Sequence, residues 1–168
     1  MKLRLAHLQQ QNLAILNTIV GLEIQSAIIE QFYFEGQPDE ESEGILCLTF
    51  SNDKSFTFDC DGDAESLHIQ EGTFSDKGTL DKTFTWAYKH YLDEKTFNEL
   101  GKITKTEIEH FISGDIQIQS GCRISFQSGD FLHIWTIPSD NLFWGINQEP
   151  PYYSDEAIST TLLLIKEI

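Results

Sequence analysis

The chain carries the same strand–turn–strand pattern twice, and few folds accommodate that. Leu48-Thr49-Phe50-Ser51-Asn52-Asp53-Lys54-Ser55-Phe56-Thr57-Phe58 lies over Ile124-Ser125-Phe126-Gln127-Ser128-Gly129-Asp130-Phe131-Leu132-His133-Ile134 without a gap. In each copy two apolar–polar alternations flank a polar turn, the pattern of a β-hairpin. Parity narrows the turn further. Side chains alternate faces along a strand, so paired strands must bring their apolar sets to one side. Leu46, Leu48 and Phe50 form one set, and Phe56, Phe58 and Cys60 form the other. Pairing Leu48 with Phe56, or with Phe58, satisfies both sets and leaves an odd loop of three or five residues around Asn52-Asp53. A two-residue turn would set Phe50 opposite Ser55 and misalign every pair. Three- and five-residue loops also tolerate a left-handed Asn or Asp.

Each hairpin has a similar leader. Val20-Gly21-Leu22-Glu23-Ile24, followed by Ile29-Glu30-Gln31-Phe32, matches Leu100-Gly101-Lys102-Ile103, followed by Ile108-Glu109-His110-Phe111, with one residue deleted after the glycine. Leader and hairpin in the same order point to duplication. One domain spanning 1–168 is expected, with copies at about 17–71 and 97–144 linked by 72–96. The leader glycines suit a turn or a tight backbone position. The fold class expected is mainly β, or α+β, with an antiparallel sheet and an N-terminal helix. That helix rests on Leu5, Leu8, Ile15, Leu16 and Ile19, which share one stripe at helical spacing. A short strand at Lys2–Ala6 is the competing reading.

Elsewhere the reading is coarser. Glu35–Glu43, with five carboxylates, Gly36 and Pro38, reads as an exposed loop. Its counterpart is a short loop around Gly114-Asp115, then an extra strand at Ile116–Gln119. Thr83–Tyr91 suits an edge strand, and Asp93–Leu100 one helical turn. Thr160–Ile165 favours a final strand because β-branched residues lead it, against a helix capped by Ser154.

The net charge of -16 is concentrated. Residues 30–76 hold thirteen acidic side chains against Lys54 alone, a net -12, while 1–29 carry +1 and 77–168 carry -5. Such a field repels nucleic acid and anionic membrane and attracts basic proteins. The plainer alternative is that acidity only keeps the protein soluble. Cys47, Cys60 and Cys122 are odd in number, lie in strand patterns and lack metal spacing, as buried free thiols of a reducing compartment do. Gln9-Gln10-Gln11-Asn12 interrupts any signal-peptide core, and no apolar run approaches membrane-spanning length. The expected location is cytoplasmic.

Sites with chemistry are few. Asp59-Cys60-Asp61-Gly62-Asp63 opens like a calcium loop, but its sixth position is Ala64 and its twelfth is Gln70. A solvated turn is the better reading, and no metal or cofactor is expected. His133 sits mid-strand beside Trp135, where it can pair with an Asp or Cys of a neighbouring strand as base or ligand, or serve as a structural histidine. The chain has no nucleophile elbow, phosphate-cradling glycine loop, His-Glu-x-x-His helix or paired-cysteine zinc site. An enzyme is therefore not expected. Trp144, Tyr152 and Tyr153 lie in an aromatic, turn-rich segment that can anchor a partner or close the core.

Duplicated alternating hairpins, acidity and small size resemble the β-rich immunity proteins of bacterial polymorphic-toxin systems. The resemblance rests on Leu48–Phe58 and Ile124–Ile134 with their leaders at Gly21 and Gly101, and covers about half the chain. It implies a stoichiometric inhibitor that binds a toxin, often a cationic nuclease, and blocks its active site. The partner would be steered by Glu35, Asp39, Glu40, Glu41, Glu43, Asp61, Asp63 and Glu65, with Trp144, Tyr152 and Tyr153 adding short-range contact. The alternatives are a structural or adaptor domain that self-associates through sheet edges, and a small-ligand carrier or enzyme with a pocket at His133 and Trp135.

Overall fold

The computed structural model describes residues 2–60, 66–73, 84–90, 94–113, 116–136, 142–151 and 159–168. For 2–8, 31, 32, 38–43, 84–90, 94, 95, 113, 116, 117 and 159 it describes the backbone only. The order is α1 (Lys2–Thr18), β1 (Ile24–Phe34), β2 (Gln37–Phe50), β3 (Ser55–Cys60), β4 (Leu67–Glu71), β5 (Phe84–His90). It continues with α2 (Glu94–Leu100), β6 (Ile103–Ser113), β7 (Ile116–Phe126), β8 (Phe131–Thr136), β9 (Leu142–Ile146) and β10 (Ser159–Glu167). The chain is mostly β, with two antiparallel sheets and an N-terminal helix. The sheets run β4-β3-β2-β1-β5 and β10-β6-β7-β8-β9. Element by element these are the same order, each preceded by a helix.

The two hairpins are built alike down to single bonds. Leu48 pairs with Phe56 and Ile124 with Leu132. The Phe50 N–H donates to the Lys54 carbonyl and the Asp53 N–H to the Phe50 carbonyl, both at 2.9 Å. Their counterparts run from Phe126 to Asp130 at 2.9 Å and from Gly129 to Phe126 at 3.0 Å. Each loop therefore has three residues, closed by a left-handed third position: Asp53 at φ 64° and Gly129 at φ 95°. The leader glycines also match, Gly21 at φ 92° and Gly101 at φ 74°. They join the halves directly, because the Gly21 N–H donates to the Ile103 carbonyl and the Ile103 N–H to the Leu22 carbonyl, both at 2.8 Å.

The core lies between the sheets. Ile29, Leu46, Phe58 and Ile69 make one transverse row, and Ile108, Cys122, Ile134 and Trp144 make its equivalent in the second sheet. All eight belong to one buried cluster with Leu16 and Ile19 of α1 and Phe97 and Leu100 of α2. Burying each large side chain of this kind stabilises the fold by about 1.5–3 kcal/mol. The sheets are offset: β2 meets β9 and β4 meets β7. This leaves β1 and β5 projecting on one flank and β6 and β10 on the other. Helix α2 fills the step against β1, and α1 fills the step against β4, β6 and β10.

Asn12 shows why α1 sits there. An edge strand presents unpaired backbone groups, and Asn12 accepts from the Ile69 N–H (2.9 Å) and donates to the Leu67 carbonyl (2.8 Å). Gln11 donates to the Ile69 carbonyl at 2.7 Å. Asn12 also donates to Gln119 Oε1 of the opposite sheet at 2.9 Å. Gln11 and Asn12, at the end of the Gln9–Asn12 run, are therefore fitted to a strand edge.

Glu35–Glu43 is not a loop. Glu35 and Gly36, at φ 50° and 77°, form a two-residue turn, and β2 begins at Gln37, with Tyr33 paired to Pro38 and Gln31 to Glu43. Five carboxylates in nine residues resist burial, not extended backbone, and β2 runs outward here with a register irregularity between Pro38 and Glu43. β5, within the 72–96 link, is the edge strand expected over Thr83–Tyr91, and it pairs with β1 along Ile28–Phe34. β10 is a strand, paired with β6. The Gly114-Asp115 loop and Ser154 lie outside the described residues.

Candidate functional site

Two polar assemblies stand out, one exposed and one buried. The exposed one is the β1–β2 arm. Glu35 is exposed at its tip beside Phe34, which is 46% exposed. Asp39, Glu40, Glu41 and Glu43 follow on the β2 backbone. On the other side of β1, Phe32 is in register with Trp86 and Phe34 with Phe84 on β5. The arm is thus a three-stranded ribbon with an acidic strand along one margin and an aromatic-rich strand pair beside it.

Of the other candidate residues, Asp61, Asp63, Glu65, Tyr152 and Tyr153 lie outside the described residues. Trp144 is 8% exposed and packs in the main core, so its surface is committed to the fold. In the calcium-like stretch, Asp59 Oδ1 accepts from the Cys60 N–H at 2.8 Å. Among the described residues no cluster of His, Cys, Asp and Glu could hold a metal ion, and no helix is long and apolar enough to cross a membrane. Cys47 and Cys122 are buried free thiols and Cys60 is partly exposed. Burial pushes the Cys47 thiol up, and burial with the neighbouring Glu109 carboxylate pushes Cys122 up further.

The buried assembly lies on the face of the second sheet away from the core. His133 Nε2 is 3.0 Å from Glu109 Oε2, both side chains fully buried. Ser120 donates to Glu109 Oε1 at 2.8 Å, and Thr136 donates to the Ser120 carbonyl at 3.1 Å. Glu109 and His133 belong to strands on either side of β7, and Gly121 stands between Glu109 and Trp135 in the register. A Cβ there would overlap the Ile134 carbonyl oxygen and lie 3.0 Å from Trp135 Cα. Only glycine lets the strands close up and the carboxylate cross β7. Trp135 meets His133 edge-on (5.7 Å between centroids) and stacks on Phe143 (6.0 Å).

Segment 147–149 folds toward this face. Asn147 donates to Asp130 Oδ1 at 2.8 Å, Gln148 lies against Gly145, and Arg123 pairs with Glu149 at 3.1 Å. The order of groups, serine to carboxylate to histidine, differs from a nucleophile triad, in which the histidine stands between the other two. The assembly sits inside the protein, where Ser120, Glu109 and His133 satisfy one another's buried polar atoms. Sequence reading singled out His133 and Trp135 but missed Glu109. The one available signal was its repeat counterpart Glu30, which is also buried, at 1% exposure. An open groove of about 190 Å³ lies between α1 and the first hairpin, lined by Ala14, Ile15, Thr18, Asn52, Lys54, Phe56 and Glu71. It does not include His133 or Trp135.

No protein-family model, curated protein or solved structure matches the chain.

Proposed function

We propose that this chain is an acidic cytoplasmic binding protein, an immunity-type inhibitor that seats on a basic bacterial toxin and covers its active site. The observation that carries the reading is the β1–β2 arm. Its acidic run, from Glu35 to Glu43, lies on the turn and the outer part of β2, in register with β1 at Gln37, Pro38 and Glu43 with an irregularity between the last two, instead of on a slack loop. Charges on an ordered backbone lose less conformational freedom on binding than charges on a disordered one. Concentrated charge of one sign raises the encounter rate of an oppositely charged protein by about 10–10³-fold, and the effect falls with salt. Phe34, exposed beside Glu35, supplies apolar contact at the point where steering ends. Nucleic acid and anionic membrane are disfavoured by the same field.

The test is capture of a basic protein from the native host on the immobilised chain, with and without Glu35→Lys, Glu40→Lys and Glu41→Lys together. Capture that weakens with rising salt and is lost in the triple variant supports the reading. Failure to recover any basic protein at low salt, or capture indifferent to the charge reversal, overturns it.

A further inference from the structure

Three of the four sheet edges can be compared among the described side chains, and they are treated differently. β4 is covered by Gln11 and Asn12 of α1. β9 is largely buried, with Leu142 and Trp144 in the core. β10 is neither. Leu163 is 46% exposed and Leu164 is 59% exposed, and Ile168 beyond the strand is 71% exposed. Leu163 shares its row with Ile108 on the core side of the sheet and Leu164 shares its row with Glu107 on the other side, so the strand exposes a leucine on each face. A long, exposed, apolar edge without proline is a template for another strand.

We propose that β10 is a homodimer interface, in which two copies pair antiparallel through this edge and join their second sheets into one ten-stranded sheet. Two observations select a second copy as the occupant. The first is self-complementarity. An antiparallel pair centred on Leu163 sets Leu162 against Leu164, and beyond these, where β10 departs from a regular register at Ile165, it brings Ser159–Thr161 of one copy opposite Ile165–Glu167 of the other. No like charges oppose one another, and opposed apolar pairs are what stabilise a ladder. A register shifted to centre on Lys166 would oppose two ammonium groups.

The second observation is charge placement. The offset of the sheets puts β10 on the flank away from β1 and β5. Residues 77–168 carry only -5 of the -16, and a dimer built through β10 leaves the two β1–β2 arms, with Glu35–Glu43, on the flanks away from the joint. Beyond a Debye length of about 8 Å at physiological salt their repulsion is screened. The arms stay free, so dimerisation and partner capture involve separate surfaces.

Sedimentation equilibrium across micromolar to millimolar concentration tests this. The expected result is a mass approaching twice the 19.2 kDa of one chain, reverting to one chain in Leu163→Lys/Leu164→Lys. Circular dichroism should be unchanged in that variant, because both side chains are already about half in water and a lysine stem can cover the same surface. Leu163→Cys tests the register: a residue at the two-fold faces its own copy, close enough for a disulfide, and gives a covalent dimer on mild oxidation. Ile168→Cys, away from the axis, should cross-link far less. A chain monomeric at every concentration overturns the proposal, even if β10 is found to bind a different extended segment. A dimer that survives Leu163→Lys/Leu164→Lys, or that cross-links equally through both cysteine variants, overturns it as well.

Discussion

Asn12→Ala should cost this fold far more than the loss of a small polar side chain suggests. The Asn12 side chain is buried and makes three hydrogen bonds, to the Ile69 N–H, the Leu67 carbonyl and Gln119 Oε1. Truncation strands all three partners, and each unsatisfied buried group costs about 1–3 kcal/mol. The Gln119 amide can turn, and a water in the vacated space can serve another group, so the expected loss is about 3–4 kcal/mol, below the full sum. Domains of this size have a total stability of roughly 5–15 kcal/mol. With a urea slope of about 2 kcal/mol/M, the unfolding midpoint should drop by about 1.5–2 M. Leu13→Ala, on the same helix but 37% exposed, should change stability by no more than about 0.5 kcal/mol. Asn12→Asp retains the acceptor for Ile69 but turns a carboxylate toward two oxygens, so at neutral pH it should be at least as damaging as alanine. Equilibrium urea unfolding followed by tryptophan fluorescence measures all three variants. A loss below about 1 kcal/mol for Asn12→Ala, at an unchanged slope, would refute the view that α1 is held as the cover of the β4 edge.

Other outcomes follow from the same geometry. His133→Ala leaves the buried Glu109 carboxylate without its imidazole and should cost about 3–5 kcal/mol in thermal or chemical unfolding, whereas Glu109→Leu/His133→Leu together should recover much of that loss. Gly129→Ala should cost about 1 kcal/mol at its left-handed φ, and Asp53→Gly, at the equivalent position of the first hairpin, should be neutral or gain a few tenths, as paired urea curves would show. The Asn147 amide and then the Ser128 hydroxyl hold the Asp130 carboxyl below its ordinary 3.8. A depressed folded pKa means this stabilising contribution is present above that ordinary value and is lost as pH falls through the folded one. In an NMR titration Asn147→Ala should move the Asp130 midpoint upward, and an unmoved midpoint would remove Asn147 as the cause.

The legible parts of the sequence were those decided over a few residues. Parity alone confined Leu48 to Phe56 or Phe58, and the structure chose Phe56 through the three-residue loop. The helix stripe placed Leu16 and Ile19 in the core, where both are fully buried. The acidic run misled because charge was read as irregular backbone, although a turn at Glu35-Gly36 can carry carboxylates on an extended strand beyond the core. The buried network was half legible: His133 and Trp135 were visible as a mid-strand pair, but Glu109 looked like any polar residue of an alternating strand.

What the amino-acid order determined by itself was periodic and local: two alternating hairpins, an odd loop around Asn52-Asp53 that tolerates a left-handed residue, the leader glycines, and a first helix with one apolar stripe. Alternation and φ preference act within a turn or a strand, so they survive without knowledge of the rest of the chain. Only the tertiary structure decided which edges are covered, that Asn12 bridges to Gln119 across 107 positions, and that Glu109 crosses β7 to reach His133. Those choices depend on which distant backbone arrives beside a polar group. A buried amide or carboxylate is stable only where that partner is already in place.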